Sequence, residues 1–225
     1  MFTHAIIIAQ KDIKLLFSRG IGVIQALLLG LLLIFIFSLS KPLDENITAQ
    51  AAATIFWLAS IFCQVLTFNI LYHIEKKSDT WSGLLLTPCP VQAIWLGKAL
   101  TGFIIISVAQ LIFIPAIVVF LNQEPGICWA QSLLIIFLIN IGLVSIGSLI
   151  GGLSQGQSTQ ESLISIILFP LVVPLLLAGI HTCTDALSSE STEAMYSWMH
   201  IVIAFDAIFA ASALALFPVI SLGDE

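Results

Sequence analysis

Six stretches of this sequence carry almost no charge, at residues 20–40, 46–74, 99–123, 125–160, 162–184 and 194–223, the last interrupted only by Asp206. Each is long enough for a helix of about 20 residues, the length that crosses a bilayer. Charged residues make up 9% of the chain and hydrophobic ones 59%, where a soluble domain carries about 25% charge. The chain is therefore read as an integral membrane protein. Its Leu, Ile, Val and Phe runs lack the period-2 alternation of a membrane barrel, so they predict helices. The expectation is an all-α fold with six transmembrane helices, centred near Leu29, Ser60, Ala109, Asn140, Val172 and Ile208, in a single membrane domain over residues 1–225.

The seven basic residues set the orientation. Lys11, Lys14 and Arg19 precede the first span, and Lys76, Lys77 and Lys98 fall between the second and third. The positive-inside rule places both segments in the cytoplasm. Lys41 is followed by Asp44 and Glu45 in what reads as the first outer loop. No Lys or Arg follows Lys98, so the later topology rests on alternation, which puts both termini in the cytoplasm. The first apolar run is too long for a signal-peptide core, roughly 7–15 residues, and lacks a small-residue cleavage site. Before it, residues 2–18 are amphipathic, with Phe2, Ile6, Ile13, Leu16 and Phe17 opposed to His4, Lys11, Lys14 and Ser18. This pattern predicts a helix on the membrane surface.

Other function classes are excluded by what the loops hold. They are too short for a soluble catalytic domain, no basic patch suggests nucleic acid, and no Ser/His/Asp set or carboxylate pair points to an enzyme. Cys63, Cys89, Cys128 and Cys183 are scattered without metal-ligand spacing. A Cys128–Cys183 disulfide near the outer face is conceivable, and unpaired thiols are the preferred reading. The longest outer segment, residues 181–199, is read as a short re-entrant or surface helix anchored by Tyr196 and Trp198. The inner segment LSQGQSTQES is read as a polar loop.

The most charged place between spans is the start of residues 74–98, where Glu75, Lys76, Lys77 and Asp79 lead into TWSGLLLTPCPVQAIWLGK. Trp81, Leu84 and Leu85 share one helical face, and Val91, Ile94 and Trp95 another beyond Pro88 and Pro90. The segment is expected to lie in the cytoplasmic interface, either as an anchored connecting loop or as a docking helix for a cytoplasmic motor. The chain has no G-x-x-x-x-G-K-[ST] phosphate loop, because Gly97 and Lys98 lack both the earlier glycine and the following hydroxyl. Any ATP hydrolysis is thus expected in a separate subunit.

Six spans, a surface helix and an interfacial segment between spans two and three resemble the membrane half of a type-2 ABC exporter. More narrowly, Gly83, Leu84, Leu86, Pro88, Pro90 and Lys98 resemble the first inner loop of the haem exporter protein B (CcmB) family. The segment FPLVVPLLLAGI is similar to that family's Pro-Leu-x-x-Pro-Leu-Leu, and residues 204–220 resemble its closing helix. The chain departs from the family where a Glu often follows the Gly-x-Leu step, since Leu85, Leu86 and Thr87 stand there. The resemblance implies an ATPase contact through Glu75, Asp79, Gly83, Leu84, Leu86, Pro88 and Pro90. It also implies a CcmA-like ATPase and CcmC-, CcmD- and CcmE-like haem-handling partners, in the bacterial inner membrane. No tightly bound cofactor is expected, with haem as transient cargo.

Within the membrane, Pro170 and Pro174 remove backbone donors from the fifth span, as packing geometry or as a hinge. Gly147 and Gly151 form a small-xxx-small face suited to an internal seam. Asp206, the one carboxylate placed inside a span, costs at least about 2.5 kcal/mol if ionised and unpaired, so it should face a cavity, a partner or the interface. His181 and His200, near the outer ends of the last two spans, are candidate haem ligands or simply interfacial histidines. Three functions stay open: a haem-related ABC permease, a transmitter subunit that carries no cargo, and a general lipid or drug exporter.

Overall fold

The computed structural model describes residues 1–19, 21–40, 47–77, 80, 83–84, 86–123, 129–153, 160–188 and 192–222. Among these residues there are seven long helices and no strand: α1 (Phe2–Arg19), α2 (Ile21–Leu39), α3 (Ala49–Lys77), α4 (Val91–Phe120), α5 (Trp129–Leu153), α6 (Gln160–Ser188) and α7 (Thr192–Leu222). The helices α2 to α7 are each long and apolar enough to cross a bilayer, and all six sequence-derived centres fall on them. At 30 residues, α4 extends about 45 Å, longer than a hydrocarbon core of about 30 Å.

The most enclosed helices are α3 and α5. Helix α3 packs against α2, α4, α5 and α6, while α7 lies mainly on α5 and α6. Close approach rests on glycines facing large rings. A Cβ at Gly30 of α2 would collide with Phe113 of α4, and one at Gly102 of α4 with Phe68 of α3. Gly147 of α5 faces the same Phe68, Gly151 faces Tyr72, Gly152 faces Phe217 of α7, and Gly179 of α6 faces Trp57 of α3. With no hydrophobic drive between helices in lipid, such ring-against-backbone packing supplies the van der Waals contact that holds a bundle together. Gly147 and Gly151 thus sit on an internal seam between α5 and α3.

Three local expectations differ from the structure. Helix α1 packs on α4 through Ala5, Ile8, Ala9 and Leu16, which are buried, while Phe2, Ile6 and Phe17 of the expected apolar face are exposed. The approach is close because Gly97 of α4 carries no side chain: a Cβ there would lie 2.8 Å from Ile8 Cβ and 2.9 Å from the Ala5 carbonyl. Phe2, Ile6 and Phe17 are left facing outward, where an interfacial helix meets lipid. Next, residues 91–98 are not part of a separate surface helix. Pro90 sits at the N-cap of α4 with φ −61° and ψ 135°, and Val91, Ile94 and Trp95 open the membrane-spanning helix itself. Proline is suited to that boundary, since it has no N–H for the helix to satisfy. Lastly, the outer segment 181–199 forms no separate re-entrant helix among the described residues, because α6 continues to Ser188 and α7 begins at Thr192. Residues 154–159, Asp79, Trp81, Leu85 and Cys128 lie outside the described residues.

Gly102→Leu forces overpacking against Phe68 and should lower the stability of the detergent-solubilised protein by about 1–3 kcal/mol. Gly83 has no atom within 4 Å of an added Cβ, so Gly83→Ala should stay within about 0.5 kcal/mol of the parent. Thermal unfolding of the two variants in parallel checks the contrast.

Candidate functional site

A short connecting segment joins α3 to α4 and is described at residues 80, 83–84 and 86–90. Its backbone is folded on itself: Thr80 N–H donates to the Glu75 carbonyl at 3.1 Å, Leu84 N–H to Thr80 at 3.0 Å, and Cys89 N–H to Thr87 at 2.7 Å. The Thr87 hydroxyl also donates to the Leu84 carbonyl at 2.6 Å. The segment presents Gly83, Leu86, Thr87, Pro88 and Pro90 outward, with Leu86 86% exposed. Of the residues singled out from the sequence, Gly83, Leu86, Pro88 and Pro90 are exposed, and Leu84 is half-buried against Ile8, Ile94 and Trp95.

Glu75 is placed differently. It is 4% exposed and belongs to a ring of alternating charge at the end of the bundle where α3 ends and α4 begins. Lys11 Nζ of α1 donates to Glu75 Oε1 of α3 at 2.7 Å. Lys98 Nζ of α4 lies 2.7 Å from Glu75 Oε2 and 3.6 Å from Asp12 Oδ2, and Lys11 Nζ lies 2.9 Å from Asp12 Oδ1. Each acid thus meets both lysines. The Lys98 side chain is wholly buried, and its ammonium also stands 4.6 Å from the centre of the Tyr72 ring, a cation–π contact. Tyr72 in turn donates to the Ser148 carbonyl of α5 at 2.8 Å. Lys11 is the half-exposed member. Burial disfavours its charge, but Asp12 and Glu75 outweigh that and hold its pKa above the ordinary lysine value. Removing one partner from such a buried set leaves an uncompensated charge, at a cost of about 3–5 kcal/mol.

The sequence reading did not single out Asp12 or the burial of Lys98. A signal existed for Asp12: it falls in register with Ala5, Ile8, Ala9 and Leu16, on the face of α1 that packs inward. An acid on a small-residue stripe needs a cation opposite, and Lys98 supplies it.

Deeper in the membrane, the polar side chains Gln110 and Asn140 are paired. Gln110 Nε2 donates to Asn140 Oδ1 at 3.0 Å, and Asn140 Nδ2 returns a bond to Gln110 Oε1 at 2.6 Å. Gln64 donates to the Leu143 carbonyl. These bonds join α3, α4 and α5 and close the bundle interior. Asp206 of α7 is 8% exposed and lies against Gly142 and Leu175. Neither of its oxygens has a hydrogen-bond donor among the described residues. His181 stacks on Trp198 with ring centres 4.8 Å apart and planes within 7°, and His200 is exposed. Among the described residues no three His, Cys, Asp or Glu side chains converge as a metal site. Pro170 and Pro174 lie within α6, which continues through both. An apolar cleft of about 580 Å³ lies between α3, α4, α5 and α6, lined by Phe56, Leu111, Ile136 and Leu187, with the free thiol of Cys183 in its wall.

The architecture has counterparts among known proteins. The "Heme exporter protein B" of Pseudomonas aeruginosa is 20% identical over 218 residues, covering 97% of each chain. The protein of the same name from Haemophilus influenzae is 23% identical over 171 residues, 76% of each chain. That from Rhodobacter capsulatus is 22% identical over 171 residues, 76% of this chain and 78% of its own. The family described as CcmB protein matches residues 3–220, from the start of α1 to the last turns of α7. With six spanning helices and this match along nearly its whole length, the chain belongs to the CcmB protein family.

Proposed function

We propose that this chain is the membrane subunit of an ATP-driven complex that handles haem during c-type cytochrome biogenesis, and that it receives the ATPase on residues 80–90. The observation that carries the reading is the self-bonded turn with Leu86 bare at its tip and both stems tied into a buried charge ring. In this reading the segment passes movement to the bundle through the end of α3 and the start of α4, which Glu75 and Lys98 join. The chain itself has no phosphate loop, so the ATP chemistry belongs to a CcmA-like partner. Haem handling is drawn from the relatives named Heme exporter protein B. CcmC-, CcmD- and CcmE-like proteins are the corresponding partners. The complex sits in the bacterial inner membrane with the turn and both termini on the cytoplasmic side, where Lys11, Lys14, Lys76, Lys77 and Lys98 cluster.

A second point concerns what the ATP is used for. Rings fill the glycine notches between the helices, and amide pairs bridge the bundle's middle. Such packing favours transmission of movement over passage of haem through the centre of a single copy. The apolar cleft is the remaining room for an apolar molecule. Its walls offer no imidazole among the described residues, and His181 is stacked on Trp198.

Two outcomes test the reading. Inactivating the gene should abolish covalent haem staining of c-type cytochromes, and retained staining would remove the haem-related function. Leu86→Asp should leave the chain's membrane level unchanged and weaken co-purification of the ATPase by about tenfold or more, as expected for the centre of an interface. Equal recovery of the ATPase from parent and variant would place the contact elsewhere.

A further inference from the structure

The charge ring contains more ions than burial of Lys98 requires. Glu75 alone, 2.7 Å from Lys98 Nζ, makes a neutral buried pair across the base of the turn. Adding Asp12 from α1 buries a second carboxylate, 2% exposed, which needs Lys11 to balance it. A buried ion pair is a poor source of stability, and an apolar residue at position 12 would continue the stripe of Ala5, Ile8, Ala9 and Leu16 at lower desolvation cost. What the second pair adds is connection. Among the described residues, Lys11–Glu75 and Lys98–Asp12 are ion pairs that tie α1 to the stems of the turn, one to the end of α3 and one to the start of α4. The same face of α1 is pressed against α4 at Gly97, and the Thr101 hydroxyl donates to the Ala9 carbonyl at 3.5 Å.

We propose that α1 is a second strut of the coupling apparatus: the ring fixes it to both stems of the turn, so that displacement of residues 80–90 moves α1 together with the cytoplasmic ends of α3 and α4. Asp12, Glu75 and Lys98 are its positioning residues, and Lys11 closes the ring from the half-exposed edge. The outward row of Phe2, Ile6 and Phe17 then carries the movement into the membrane surface, where an interfacial helix is held by its apolar side chains. The transmission half of this proposal rests on the reading that the turn receives an ATPase. The clamping of α1 does not.

The test uses the full chain in its native membrane, as Glu75→Gln, Lys98→Met and the double variant Glu75→Gln/Lys98→Met. Each single variant leaves an excess buried charge and should lower the membrane level of the chain several-fold. The double variant keeps the side-chain volumes and leaves Lys11 and Asp12 as a neutral pair on α1, so its level should return close to that of the parent. Two readouts then decide. In membrane vesicles with the cytoplasmic face outward, trypsin should remove an N-terminal tag by cutting in α1 at least about tenfold faster in the double variant, because α1 has lost its clamp. Covalent haem in c-type cytochromes should stay about tenfold below the parent although the chain is present in full. Unchanged tryptic protection at full chain level would overturn the clamp, whatever the chain's activity. Faster cleavage with normal c-type cytochromes, in a strain where gene inactivation abolishes them, would overturn the transmission role. If inactivation leaves c-type cytochromes intact, the haem-related function fails and the tryptic readout still decides the clamp.

Discussion

Four alternating charges gathered where α3 ends and α4 begins are the arrangement on which the rest of this molecule turns. The ring joins three helices that are far apart in the chain, since Lys11 and Glu75 are separated by 64 positions. It sits where α1 leaves the surface, where α3 ends and where α4 begins. Because Glu75 and Lys98 stand on either side of residues 78–90, their contact sets the width of the turn's base. Lys98 is completely buried, so this contact is shielded from the salt that weakens surface ion pairs. Below it, Tyr72 and Ser148 continue the connection into α5.

The interior beneath the ring is organised differently. Helices in lipid gain little from excluding water, so they associate by fitting surfaces closely and by exchanging hydrogen bonds. Here the fit is made by rings entering glycine notches, with Phe68 serving both Gly102 of α4 and Gly147 of α5. Reciprocal amide bonds between Gln110 and Asn140 hold the register at mid-bundle. A core fixed in this way rearranges as whole helices, because packed interfaces have a few discrete arrangements and little continuous give.

Much of the fold was legible in the sequence because hydrocarbon imposes a coarse rule. A stretch of about 20 residues without charge is a span, and the six centres drawn on that rule fall on α2 to α7. The Pro88 and Pro90 break was legible too, since proline limits the preceding and following backbone wherever it stands. The reach of α4 back to Val91 was less so. Trp95 and Lys98 look amphipathic in isolation and are buried by remote elements, Trp95 in a cluster with Ile8 of α1 and Phe217 of α7, and Lys98 beside Asp12 of α1 and Glu75 of α3. The same holds for Glu75, whose neighbours in sequence are charged and whose neighbours in space are Lys11 and Lys98. Asp12 showed the opposite failure: its place among Ala5, Ile8, Ala9 and Leu16 marked it as inward-facing, but periodicity alone does not say which distant cation it meets. Pairing between remote elements is a property of tertiary packing, and a local pattern does not contain it.

The account stands on the turn being the place where an ATPase pushes. A photo-activated amino acid placed at position 86 of the full chain, irradiated in native membranes, measures this directly. The same probe at Leu39, exposed at the far end of α2, serves as the reference. The account predicts a covalent adduct with an ATP-binding polypeptide from position 86 and none from position 39. Absence of that adduct at 86, or equal yield at both positions, would contradict it.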